Sequence, residues 1–171
     1  PDLFAALDAG QLQGEWRRQI ELFLSTGRTI DHLDSHHHVA YRHPKPFAVL
    51  LELAREYAVA IRWPLPPPGF GVGEADIVGN LASAREIRHP LGMVGSFGGE
   101  KATVTELCAI IDRLPPGTVE LMCHPGRADA DLAILSSYNA PRHQELAVLT
   151  DPGVREVLQR RGIILSTFAA V

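Results

Sequence analysis

Two carboxylates and four imidazoles fall within eight residues, Asp31-His32-Leu33-Asp34-Ser35-His36-His37-His38. Imidazole is the commonest protein metal ligand and the side chain that titrates nearest neutral pH. If residues 29–38 stay extended, side chains alternate between faces. Ile30, His32, Asp34, His36 and His38 then share one face, and Asp31, Leu33, Ser35 and His37 the other. Asp34 and His36, two residues apart at a strand's end, can offer oxygen and nitrogen to one divalent ion. Zinc, manganese, iron, cobalt and magnesium all accept that mix. The three adjacent histidines cannot all face one ion, because the middle one points away.

A second constellation is Cys123-His124-Pro125-Gly126, at the end of the apolar run Val119-Glu120-Leu121-Met122-Cys123. Folds that alternate strand and helix place their chemistry at the carboxyl ends of strands. A histidine there can serve as general acid or base, or polarise a bound carbonyl. Pro125 stiffens the backbone and Gly126 allows close approach of a ligand. Arg127 is a candidate for binding a polar substrate, with a plain surface arginine as the competing account. Ser136, Ser137, Tyr138 and Asn139 could contact hydroxyl-rich ligands or form an ordinary hydrated loop. Gly98-Gly99 and Gly71-Val72-Gly73 fit neither the Walker nor the Rossmann glycine pattern. No GxSxG nucleophile turn occurs.

These residues need elements to hold them. Trp16, Ile20, Phe23 and Leu24 predict a helix over 15–26 after a loop-like start, with Gly27 as its terminal glycine. A strand over 29–34 follows, then a helix over 47–57 with an apolar face of Phe47, Leu50, Leu51, Leu53 and Ala54. Residues 59–63 read as a strand and the Pro/Gly-rich stretch 64–73 as an irregular loop. A weak helical rhythm covers 74–88, and 91–97 reads as a strand. A helix over 103–114 offers Val104, Leu107, Cys108, Ile110 and Ile111 to a core. A strand over 118–123, a loop to about Ala140 and a helix over 141–149 come next. Asp151 and Pro152 have the types of an N-cap and first helical residue, opening a helix that ends at Gly162. Residues 163–168 read as a last strand. Such alternation predicts an α/β protein with a parallel sheet or barrel and helices outside, as a single domain over residues 1–171.

Bulk properties narrow the functions. At 171 residues the chain can bury a real core, and 46% hydrophobic with 21% charged residues is ordinary for a globular protein. With a net charge of −4 and no basic run, nucleic acid and anionic membrane surfaces are not expected partners. No apolar run approaches the roughly 20 residues of a membrane-spanning helix. No signal-like start is seen, and Cys108 and Cys123, far apart, read as buried thiols in a reducing cytoplasm.

His32-Leu33-Asp34-Ser35-His36-His37-His38-Val39 resembles the signature of the YdjC-like (ChbG-like) carbohydrate deacetylases. Val119 to Pro125 resembles that family's second signature, and Ser137-Tyr138 with Glu145 to Asp151 its closing segment. The flanking helices at Glu15–Phe23 and Leu50–Tyr57 are also similar. The resemblance implies a (β/α)-barrel-like fold, a deformed TIM-type barrel, and a hydrolase dependent on a divalent metal, Mg²⁺ or Zn²⁺. Its substrate would be an N-acetylated sugar or oligosaccharide, from which it removes acetyl groups. By the same resemblance His36 is a metal ligand and His124 lies in the active site. The mechanism expected is that His124 donates a proton to the leaving amine or stabilises the oxyanion, with Asp34 orienting a ligand histidine. His38, Arg127 and Tyr138 are the candidates for substrate contact. The family pattern opens with an Asp-Asp strand and a Gly-x-His ligand, neither of which occurs in this chain, which starts at Pro1. The expectation is therefore a C-terminal portion with an incomplete barrel and metal site. Ala40 also replaces a frequent histidine. Open sheet edges would favour aggregation or a homodimer. The alternatives are a non-catalytic carbohydrate- or metabolite-binding module, or a fragment that needs a partner chain.

Overall fold

The computed structural model describes residues 6–71 and 86–171. The chain divides into two compact units. The described part of the first comprises residues 6–65, 86–90 and 166–171, and the second comprises residues 66–71 and 91–165.

In the first unit, helix α1 spans Ala9–Leu24. It begins at Ala9 rather than at the expected Glu15, because the Asp8 carboxylate caps it by accepting the Gln11 N–H at 2.8 Å. Gly10 and Gly14, in the stretch expected to be loop-like, lie inside the helix, where glycine costs only about 1 kcal/mol against alanine. Beyond the helix end Gly27 takes φ +79°, the left-handed conformation expected of a terminal glycine. Strand β1, His32–Leu33, pairs in parallel with β2, Ala60–Ile61, in the register His32 opposite Ala60. Helix α2 spans Pro44–Glu56, with His43 Nδ1 accepting the Lys45 N–H and prolines in its first turn. Its buried face carries Phe47, Leu50, Leu51, Leu53 and Ala54, as the periodicity requires. Leu12, Trp16 and Ile20 of α1 pack against that core.

The extended reading of residues 29–38 holds only to Ser35. The chain then turns into a 3₁₀ segment, His36–Arg42, with His37 and His38 at φ +53° and +56°. Ser35 causes the change. Its carbonyl accepts the His38 N–H at 2.8 Å and its hydroxyl accepts the Ala40 N–H at 2.9 Å. A serine that binds nearby backbone offers the chain an alternative to the strand ladder. Burial of Ala40 and Tyr41 draws the segment inward. His36 and His38 therefore do not continue the alternating face of β1.

In the second unit, β3, Gly92–Val94, pairs in parallel with β4, Val119–Leu121. Helix α3, Val104–Arg113, is capped by Thr103, whose hydroxyl accepts the Glu106 N–H. Helix α5, Ala140–Leu149, and helix α6, Pro152–Arg160, follow a short helix α4, Ala130–Leu135. The core joins Val94, Phe97, Leu107, Ile110, Ile111, Val148, Val154 and Val157. Asp151 caps α6 and Gly162 closes it at φ +65°, as expected. Helix α4 lies where a loop was expected; Asp129 starts it by accepting the Leu132 N–H at 2.8 Å. The expected last strand over 163–168 is not formed among the described residues. Ile164 and Leu165 are 88% and 78% exposed, and Phe168–Ala170 is a 3₁₀ turn. No disulfide joins Cys108 and Cys123, and both are half-buried rather than buried. Of the helical rhythm at 74–88, residues 74–85 lie outside the described residues. The class is mixed α/β, with a parallel two-stranded sheet in each unit among the described residues.

Candidate functional site

In the first unit, the residues after β1 form one polar cluster. Asp34 accepts hydrogen bonds from the Arg62 guanidinium, from the Ser35 N–H at 2.6 Å and from the Tyr41 hydroxyl at 3.3 Å. The carboxylate that holds a histidine is instead Asp31, whose Oδ1 lies 2.7 Å from His32 Nδ1. That hydrogen bond holds Asp31 below the usual carboxylate pKa. The His32 ring stacks on Phe168 at 4.0 Å, nearly parallel. His36 and His37 are exposed and meet edge to face at 4.2 Å, while the His38 ring lies 5.9 Å from that of Tyr41. A cleft of about 350 Å³ runs between α1 and β1, lined among others by Ile20, Phe23, Asp31, His32 and Asp34.

Whether these residues suit a metal ion can be tested on their placement. Among the described residues no three His, Cys, Asp or Glu side chains converge on one point. A zinc site needs at least three protein ligands. The residues described do not make a metal site by themselves.

In the second unit, the tip of β4 is gripped by α5. The carboxylate of Glu145, fully buried, accepts the backbone N–H of His124 with one oxygen and the hydroxyl of Tyr138 with the other. Tyr138 Oη in turn accepts the Gly99 N–H at 2.8 Å. Arg142, one turn before Glu145, donates from Nε to the Tyr138 carbonyl at 2.7 Å and from a terminal nitrogen to the His124 carbonyl at 3.4 Å. Its own carbonyl accepts the Gly126 N–H at 3.1 Å. Proline has no N–H, so both backbone donors of His124-Pro125-Gly126 end on α5. The His124 imidazole is left exposed, with its ring edge-on to Tyr138 at 5.6 Å. Burial first, and then the bond to Glu145, raises the Tyr138 pKa above its ordinary value.

The structure thus joins two expected site residues, His124 and Tyr138. Arg127 is exposed on the chain just beyond them. Sequence reasoning missed Arg62, Arg142 and Glu145 as members of these clusters, and gave Asp34 rather than Asp31 as the carboxylate holding a histidine. A signal for Glu145 was present: it sits three residues before Val148, an acidic residue on the buried face of its helix. Gly98-Gly99, which fitted no phosphate loop, supplies the N–H to Tyr138.

Comparison with known proteins points in one direction. The family model described as YdjC-like protein matches residues 2–160. A carbohydrate deacetylase of Geobacillus stearothermophilus is 38% identical over 162 residues, which cover 93% of this chain and 59% of that protein. A carbohydrate deacetylase of Vibrio parahaemolyticus is 32% identical, covering 96% and 59%. A crystal structure from Enterococcus faecalis V583, named for a proposed role in cellobiose-phosphate cleavage, superposes with a TM-score of 0.84 at 28% identity. It covers 99% of this chain and 63% of that one. The chain therefore spans about three-fifths of the length of these relatives.

Proposed function

The chain belongs to the YdjC-like family, and from that premise we propose that it carries part of the site of a carbohydrate deacetylase, acting on N-acetylated sugars. In the reaction water adds to the acetamide carbonyl, the C–N bond breaks, and acetate and a protonated amine leave. The observation that carries the reading is the exposed His124 imidazole on a backbone fixed by α5. An imidazole held in place can hand a proton to the departing amine at neutral pH. Tyr138 and Arg127 of the second unit are proposed to contact the sugar, and Asp34 to fix the chain around the first histidine cluster. The parallel pairing in each unit supports membership of a (β/α)-barrel-like class.

A divalent ion, Mg²⁺ or Zn²⁺, held in part by His36, belongs to the same proposal. Its support is an exposed imidazole in the family's signature; among the described residues no companions converge on it. Calorimetric titration of the chain is expected to show weak binding of either ion. Tight one-to-one binding would overturn the incomplete metal site.

The activity is tested by acetate release from a chito-oligosaccharide with added divalent ion. Slow release is expected, falling about 10²-fold or more in His124→Ala. Release that is equal in the two proteins, or absent in both, would remove the deacetylase reading for this chain.

A further inference from the structure

We propose that Glu145 is the positioning residue of His124. The idea rests on the reading of His124 as the proton-transferring group, and names what aims it. A carboxylate placed fully inside a core is costly unless its oxygens are satisfied. Here one oxygen accepts the His124 N–H and the other the Tyr138 hydroxyl, so both are spent on the same strand tip and on the ring against which the imidazole lies. Arg142, on the same helix, takes the His124 carbonyl. His124 is thus bracketed at both backbone polar groups from α5, and its ring is bounded by Tyr138. An apolar residue would fill the same core position beside Val148 without the burial cost. The acid is therefore there for what it orients.

The surroundings are shaped to admit this arrangement. A Cβ on Gly98 would lie 3.0 Å from Tyr138 Oη and 3.2 Å from Glu145 Oε1, and Gly98 holds φ +146°. The neighbouring Gly99 N–H fixes the tyrosine oxygen. The β4 tip and the Tyr138 hydroxyl thus meet on one carboxylate, Gly98-Gly99 closes on that tyrosine oxygen, and the exposed group left facing solvent is the imidazole.

The test is nuclear magnetic resonance on the full chain, which needs neither substrate nor activity. The His124 amide proton is expected far downfield and slow to exchange. Bonds to charged groups contribute more than neutral ones, so Glu145→Gln should bring the signal upfield and speed exchange about tenfold at His124. The amides of Val119–Leu121 should keep their exchange rates. Equal rates at His124 in both proteins, or equal acceleration throughout β4, would overturn the proposal. Should Glu145→Gln not fold, Tyr138→Phe gives the second reading. With one donor removed, the carboxylate accepts more strongly from His124, so its amide proton should move further downfield; an unmoved signal would overturn the proposal. An inactive chain with the amide signature intact would remove the deacetylase reading and leave the bracket standing.

Discussion

At the scale of single residues, two acidic groups carry opposite pH signatures. Asp31 is held below its ordinary value of 3.8, first by the hydrogen bond to His32. A depressed carboxylate adds stability that is present above the ordinary value and lost as pH falls through the lower, folded one. Urea midpoints followed into the acid range should therefore fall less in Asp31→Asn than in the parent. Tyr138 is shifted the other way, above 10.0, by burial and then by Glu145. Its contribution is present below the ordinary value and fades as alkaline pH passes the folded one. Phenolate absorbance should show that the tyrosine lost in Tyr138→Phe is one that ionises above 10.0. A missing absorbance step at or below the ordinary value would contradict the half-buried position beside Glu145. None of these partnerships was legible residue by residue. The sequence shows two carboxylates near His32, and only the fold assigns Asp31 to the imidazole and Asp34 to Arg62.

At the scale of elements, legibility was high where the deciding interaction is short-range. Asp151, Pro152 and Gly162 marked α6 correctly, because a cap acts within three residues of itself. Replacing Asp151 by Ala should cost about 1 kcal/mol in denaturant unfolding, through loss of the bond to the Gly153 N–H. The apolar face of α3 was read from its period, and Leu107, almost fully buried, should cost about 2–5 kcal/mol when cut to Ala. Gly98→Ala should cost about 1–3 kcal/mol, since the backbone lies in a region that side chains avoid. The errors in strand length share a cause. Strand ends depend on partners far away, so β1 to β4 are two or three residues long where five to seven were expected. The histidine run left the strand because Ser35 bound its own neighbours and Tyr41 went into the core.

At the scale of the whole molecule, the chain spans about three-fifths of its relatives and shows apolar groups to solvent. Ile134, Leu135, Ile164 and Leu165, all in the second unit, are each at least 78% exposed. Exposed apolar groups of this kind favour association. Light scattering should show mass rising with concentration, and Ile134→Glu with Leu165→Glu should lower it; a concentration-independent monomer would contradict the expected self-association. The alternation of helices with parallel strands, the ends of α6, the helix faces and the placing of His124 after an apolar strand were determined by sequence alone. They depend on periodicity and on contacts within a few residues, which the order of amino acids states directly. Which carboxylate serves which histidine was decided only by the tertiary structure. Glu145 is 21 residues from His124, and Gly99 is 39 from Tyr138. Hydrogen bonds reach about 3 Å, so partners so distant along the chain are chosen only when the core has packed and brought them within that range.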